Sequence, residues 1–104
     1  MNSLANKGNQ FLTYKGRPLV RKGKTLYYGN MYDPYVVMLK VVSTKKFKDM
    51  ELADRVTVQL ISTDPNASPA EIVVKKSEKP GLYPAMDIGS IWLDRALKEK
   101  ESAE

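Results

Sequence analysis

Five tyrosines, Tyr14, Tyr27, Tyr28, Tyr32 and Tyr35, share one stretch of chain with Arg17, Arg21, Lys22 and Lys24. Rings that stack on bases, set among cations that follow phosphates, are the chemistry of a single-stranded nucleic-acid platform. The same residues have a plainer use. Aromatic side chains suit strands, and lysines belong at wet hairpin turns and on sheet edges, where they discourage aggregation. Tyr27 and Tyr28 are adjacent, so a strand sends them to opposite faces and at most one of them serves a platform. Tyr14, Arg17, Arg21, Lys22, Lys24 and Tyr28 form the candidate nucleic-acid contact set. No RNP-type aromatic motif, zinc knuckle or phosphate-cradling loop accompanies them; Lys15-Gly16 and Lys22-Gly23 are not a P-loop.

Catalytic chemistry starts from a short inventory. Histidine and cysteine are both absent. That excludes thiol nucleophiles, disulfides, thiolate metal sites and every histidine-containing triad. Asp49, Glu51 and Asp54 are close enough in sequence to suggest a carboxylate pair or a magnesium site. A solvated acidic loop beside the basic run Lys45-Lys46-Phe47-Lys48 is the simpler account. Asp64-Pro65-Asn66 is a turn signature before it is a site. The expectation is therefore no enzyme, with no catalytic, cofactor-binding or metal-binding residues.

The charges are unevenly placed. Residues 1–48 hold ten Lys or Arg and one acid, whereas residues 49–104 hold seven basic and eleven acidic residues, within a net charge of +5. Such polarity points to an anionic partner or to copies meeting head to tail. The polar N-terminus has no apolar h-region and no apolar run is long enough to span a bilayer, so a cytoplasmic protein with no membrane contact is expected. The sequon Asn66-Ala67-Ser68 is then chance.

Glycine punctuation organises the first half. Lys15-Gly16 and Lys22-Gly23 each separate short strand-like runs, as two tight hairpins in series require. Pro18 lacks an N–H and places its strand at an edge or starts it. Tyr35 to Ser43 is apolar on both parities, which predicts a central strand covered on both faces. A basic loop follows over Thr44 to Asp49. Leu52 to Ser62 alternates, with Leu52, Val56, Val58 and Leu60 on one face. Ser68-Pro69-Ala70-Glu71 has the form of a capping box and predicts a short helix, although Ile72-Val73-Val74 prefers a strand. Residues 1–10 read as a flexible tail ahead of one domain over 11–104.

The C-terminal segment PAMDIGSIWLDRALKEKE has the periodicity of a helix. Its apolar arc is wide, and Asp87, Ser90, Asp94 and Lys98 form a narrow polar stripe. Gly89 either weakens the first turn or permits close approach to the sheet, and Ser90 is a candidate N-cap. An arc this wide exceeds what one sheet face needs, so Ile91, Trp92 and Leu93 are candidate oligomer contacts.

The segments FLTYKGRPLVRKGKTLYYGNM, VVMLKV and KKSEKPGLYPAMDIGSIWLDRAL resemble a group of small bacterial proteins of unknown function from Gram-positive anaerobes. The resemblance implies a bacterial cytoplasmic origin and transfers no activity or site residues. The expected fold is α+β: an antiparallel sheet of about five strands, a twisted meander or partly closed barrel, followed by one or two C-terminal helices. Its core is expected to hold Leu19, Val37, Leu39, Val41, Val56, Val58, Leu60, Ile88, Trp92 and Leu97. The expected function is a small interaction module that associates with itself or with another protein; the alternative is a nucleic-acid-binding protein.

Overall fold

The computed structural model describes residues 10–103; of the tail expected over residues 1–10, residues 1–9 lie outside them. Gln10 already belongs to the first strand. Six strands, β1 (Gln10–Tyr14), β2 (Arg17–Lys22), β3 (Thr25–Tyr28), β4 (Tyr35–Phe47), β5 (Met50–Ser62) and β6 (Val73–Lys79), form one antiparallel sheet in chain order. A single helical turn, α1 (Pro69–Ile72), precedes β6, and the long helix α2 (Leu82–Ala103) ends the chain. The α+β class is as the sequence implies, with six strands in place of about five.

The hairpin turns follow from their residues. Tyr14 pairs with Arg17, so Lys15 and Gly16 are the two turn residues, and both have positive φ (50° and 81°). The next turn is Gly23-Lys24 rather than Lys22-Gly23, because Lys22 pairs with Thr25. Gly23 supplies the positive φ at the first turn position, the place where a two-residue hairpin loop most needs glycine.

Alternation assigns the sheet two faces. Leu19, Leu26, Tyr28, Val37, Leu39, Val41, Val56, Val58 and Leu60 are buried on one, and Ala85, Met86 and Leu93 of α2 pack against them. Ile88, Trp92 and Leu97, expected in the core, are only partly buried at its edge. Gly89 is where the helix comes closest to the sheet: a Cβ there would lie 3.0 Å from Val37 Cγ1 and 3.4 Å from Val58 Cγ2. Close approach is thus the role of this glycine. Ser90 is no N-cap; it lies mid-helix, buried, with its hydroxyl donating to the Asp87 carbonyl at 2.8 Å. The helix starts at Leu82, just after Gly81, whose φ of 116° turns the chain out of β6.

The Ser68 to Lys79 segment resolves a conflict between two rules by obeying both. The Ser68 N–H donates to the Glu71 carboxylate at 2.9 Å and the Glu71 N–H to the Ser68 carbonyl at 2.8 Å, with Pro69 opening the turn. One helical turn results. Val73 then leaves it and pairs with Ile61 of β5, opening the sixth strand that the β-branched Ile72-Val73-Val74 run favoured against the short helix. The bond from the Ser68 backbone, then its side chain, holds the Glu71 carboxyl below the usual carboxylate range. A group lowered on folding stabilises the fold above its unfolded pKa and loses that contribution as pH falls through its folded value. We expect an NMR titration to place the Glu71 midpoint below that of a free glutamate. Ser68→Ala should recover part of the shift, because the backbone N–H remains; a midpoint unmoved from the free value would remove the capping box from solution.

β4 and β5 carry the largest departure from expectation. Thr44 to Asp49 is not a loop. Both strands run for 13 residues, joined by Lys48-Asp49, with Lys48 at φ 58°. β3 pairs with β4 only as far as Lys40, and β6 pairs with β5 only as far as Val56. Residues 42–55 therefore leave the sheet as a two-stranded arm. A compact chain of this length has a radius of gyration of about 13 Å; the observed 14.7 Å and the 50 Å long axis reflect that projection.

Candidate interaction surfaces

The tyrosine and arginine residues proposed from sequence do not form one surface. Tyr28 is 2% exposed, its hydroxyl donates to the Tyr14 carbonyl at 2.8 Å, and its ring meets Tyr14 edge-on at 5.7 Å. A ring held there stacks no base. Arg17 donates to Asp94 of α2, and Lys15 lies 3.7 Å from Asp87. The acids of the polar stripe thus fasten the first hairpin to the helix, and Asp94 is engaged by Arg17 rather than by Lys98 one turn on. Burial alone would release the Arg17 proton more readily, but the bonds to Asp94 and toward Tyr28 outweigh it and raise the pKa above the usual arginine value. Arg21 donates back to the Gly23 carbonyl at 3.0 Å and braces its own turn. Lys24 is exposed on the helix side of that turn, and Lys22 points to the opposite face of the sheet.

The oligomer candidates divide in the same way. Leu93 is fully buried in the chain's own core and cannot meet a second copy. Trp92 is partly buried, with the Lys75 ammonium 5.8 Å from its ring centre. Ile91 alone of the three is exposed. The helix packs against β4, β5 and β6, and the first hairpin reaches its polar stripe through Arg17 and Lys15.

Three other features are exposed and continuous. The first is the arm. Strand pairing puts Phe47 opposite Met50 and Lys45 opposite Leu52 on one side, and Thr44 opposite Ala53 and Lys46 opposite Glu51 on the other. Bulges at Val42 and Asp54 reset the alternation, which moves Leu52 off the face that Val56, Val58 and Leu60 share. Phe47 and Met50 are 58% and 60% exposed, with Leu52 exposed on the same side; Val42, exposed as well, lies at the root of the arm near Met38 and Lys40. The charges are matched within the arm: Lys45 lies 3.8 Å from Asp54, and Lys46 pairs across from Glu51.

A groove of about 560 Å³ at the root of the arm is the second feature. Val41, Leu52, Leu82, Tyr83 and Pro84 line it, with Arg21 and Lys24 at its rim. The third is the face of the sheet away from α2. No described element packs over it. Its central row runs Val20, Tyr27, Met38, Gln59, Lys76 from β2 to β6, and the next runs Lys22, Thr25, Lys40, Thr57, Glu78. The two-sided cover expected for β4 holds only at its start, where Val36 is buried; Met38, Lys40 and Val42 on the same side are half-buried or exposed.

No protein-family model, curated protein or solved structure matches this chain. The geometry carries the functional reading. Among the described residues no group of three or more His, Cys, Asp or Glu side chains comes together to hold a metal, and no helix is long and apolar enough to cross a membrane.

The arm residues were missed in the sequence because a lysine run was taken for a loop. The signal was there: Val42, Thr44 and Phe47 are strand formers, and strand-like runs of equal length flank Lys48-Asp49. The open-face row has no such local signal, since its members come from five strands.

Proposed function

We propose that this protein is a small non-enzymatic interaction module that associates with itself through the β4–β5 arm. The supporting observation is the exposure of Phe47, Met50 and Leu52 on one side of a ribbon that extends beyond the neighbouring strands β3 and β6. A two-stranded hairpin alone is marginal in water, and its unpaired edges invite a further chain. Apolar residues grouped on one side of such a ribbon mark a contact surface.

A second copy is the occupant that the charges favour. Because Lys45 faces Asp54 and Lys46 faces Glu51, two arms come together without net repulsion. A two-fold pairing uses the same patch on both chains, which a self-complementary, charge-neutral ribbon permits. The patch is small, so the dimer belongs to the weak class of interfaces and forms in the micromolar range. Sedimentation velocity across low to high micromolar concentration should show the sedimentation coefficient rising from monomer to dimer. The double variant Phe47→Glu/Met50→Glu should stay monomeric throughout with an unchanged circular dichroism spectrum. A wild-type monomer at every concentration would defeat this reading.

A further inference from the structure

The open face of the sheet has a chemistry distinct from the arm, and we infer that it binds single-stranded nucleic acid, with Tyr27 stacking on a base and Lys22, Lys40 and Lys76 following the phosphates. This goes beyond self-association and does not depend on it, since none of these four residues lies on the arm.

Charge decides the occupant. Lys22, Lys40 and Lys76 project from β2, β4 and β6, and none has a carboxylate within 4.0 Å among the described residues. The acid on this face, Glu78, is 3.7 Å from Arg55. Two such faces brought together would set lysines against lysines, so a second copy fits this surface badly. An anionic partner fits it well.

Shape narrows the partner further. Tyr27, 43% exposed, lies beside Met38 in the cross-strand row, giving a flat apolar patch with cations on both sides. Thr25, Thr57 and Gln59 add hydrogen-bonding groups along the same rows. Planar bases joined by phosphates present that alternation of flat apolar and anionic groups. From β2 to β6 the lysines cover four strand spacings, roughly 19 Å. That suits a site of on the order of four nucleotides, the short end of single-strand sites. Of the six residues proposed from sequence, Lys22 alone belongs to this face.

Fluorescence anisotropy with a labelled oligothymidine tests the assignment on the full chain. Binding at low salt should weaken as salt rises, with a log–log slope of about −2 for three neutralised phosphates on a single strand. Lys40→Ala should flatten that slope by about 0.7. Tyr27→Ala should weaken binding about ten-fold while changing the slope little, as loss of one stacked base does. Lys98→Ala, on the helix, should leave binding unchanged. Lys40→Glu/Lys76→Glu, at exposed positions, provides a second arm should Tyr27→Ala fold poorly, and it should abolish binding. No binding at low salt overturns the inference. So does equal binding of polyglutamate or anionic vesicles together with indifference to Tyr27→Ala, because that describes a general polyanion surface.

Discussion

Gly89→Val is expected to remove a large share of the stability of this fold, seen as a urea midpoint shifted far down with an unchanged slope. The Cβ alone would sit 3.0 Å from Val37 Cγ1 and 3.4 Å from Val58 Cγ2, and both valines are completely buried on the central strands β4 and β5. Neither is the free end of a flexible side chain, so relief requires the helix to lift off the sheet. Lifting it uncovers contacts of Ala85, Met86 and Leu93 together, since they share that face. Overpacking of a tight core costs about 1–3 kcal/mol and sometimes more, while replacing a mid-helix glycine returns at most about 1 kcal/mol of propensity. A small domain has about 5–15 kcal/mol in total, so a net loss of about 2 kcal/mol lowers the melting temperature by about 8 °C or more, taking about 4–8 °C per kcal/mol. Gly89→Ala separates the two terms. It adds the propensity together with the Cβ that already lies 3.0 Å from Val37 Cγ1, so it should destabilise less than the valine, whose two further methyls deepen the clash. A valine variant as stable as the parent would show that α2 does not lie where Gly89 places it.

The parts of the fold that the sequence discloses are those fixed by local rules. Lys15-Gly16 and Gly23-Lys24 needed positive φ at a turn, and the heavy apolar content of Val36 to Val41 marked the centre of the sheet. The α2 register followed from its period, apart from Ser90, where a strong capping residue sits inside a helix because its hydroxyl can return to the Asp87 carbonyl. What stayed hidden was decided by partners distant in the chain. Val73 and Val74 became a strand because β5 had an edge to fill. Tyr28 became a core residue because it shares with Leu19 and Val37 the face that α2 covers, although Tyr27, with the same side chain one position away, is exposed. Parity separates the two tyrosines only once the register is known, and register is set by the whole sheet.

The charge asymmetry between the two halves of the chain acquires a meaning the totals lacked. It is partly consumed inside the molecule. Lys15 and Arg17 from the basic half meet Asp87 and Asp94 from the acidic half, and Lys45 meets Asp54. These are exposed or half-exposed pairs, worth about 0–1 kcal/mol each, so they orient the hairpin and the arm more than they stabilise them. Of the remaining basic residues, Lys22 and Lys40 stand on the open face, where Lys76 of the acidic half joins them.

Removing the arm is the variant with the largest expected effect on association. Replacing residues 43–54 by a two-residue Asn-Gly turn joins β4 to β5 immediately beyond the Val41–Val56 pair, where both strands still have their outer neighbours. No fully buried residue lies in the deleted segment; only Ala53 packs partly against the core. The shortened chain should therefore fold, with a melting temperature within a few degrees of the parent and a radius of gyration by small-angle scattering falling from 14.7 Å toward the compact value. Its sedimentation coefficient should be independent of concentration, because the exposed Phe47, Met50 and Leu52 are gone. Point variants leave the ribbon and its unpaired edges in place, so only this deletion separates an apolar contact from edge-to-edge pairing. If Phe47→Glu/Met50→Glu still dimerises but the shortened chain does not, the edges hold the copies together. If the shortened chain dimerises as well, the contact lies elsewhere, and Ile91 and Trp92 on the helix become the residues to test.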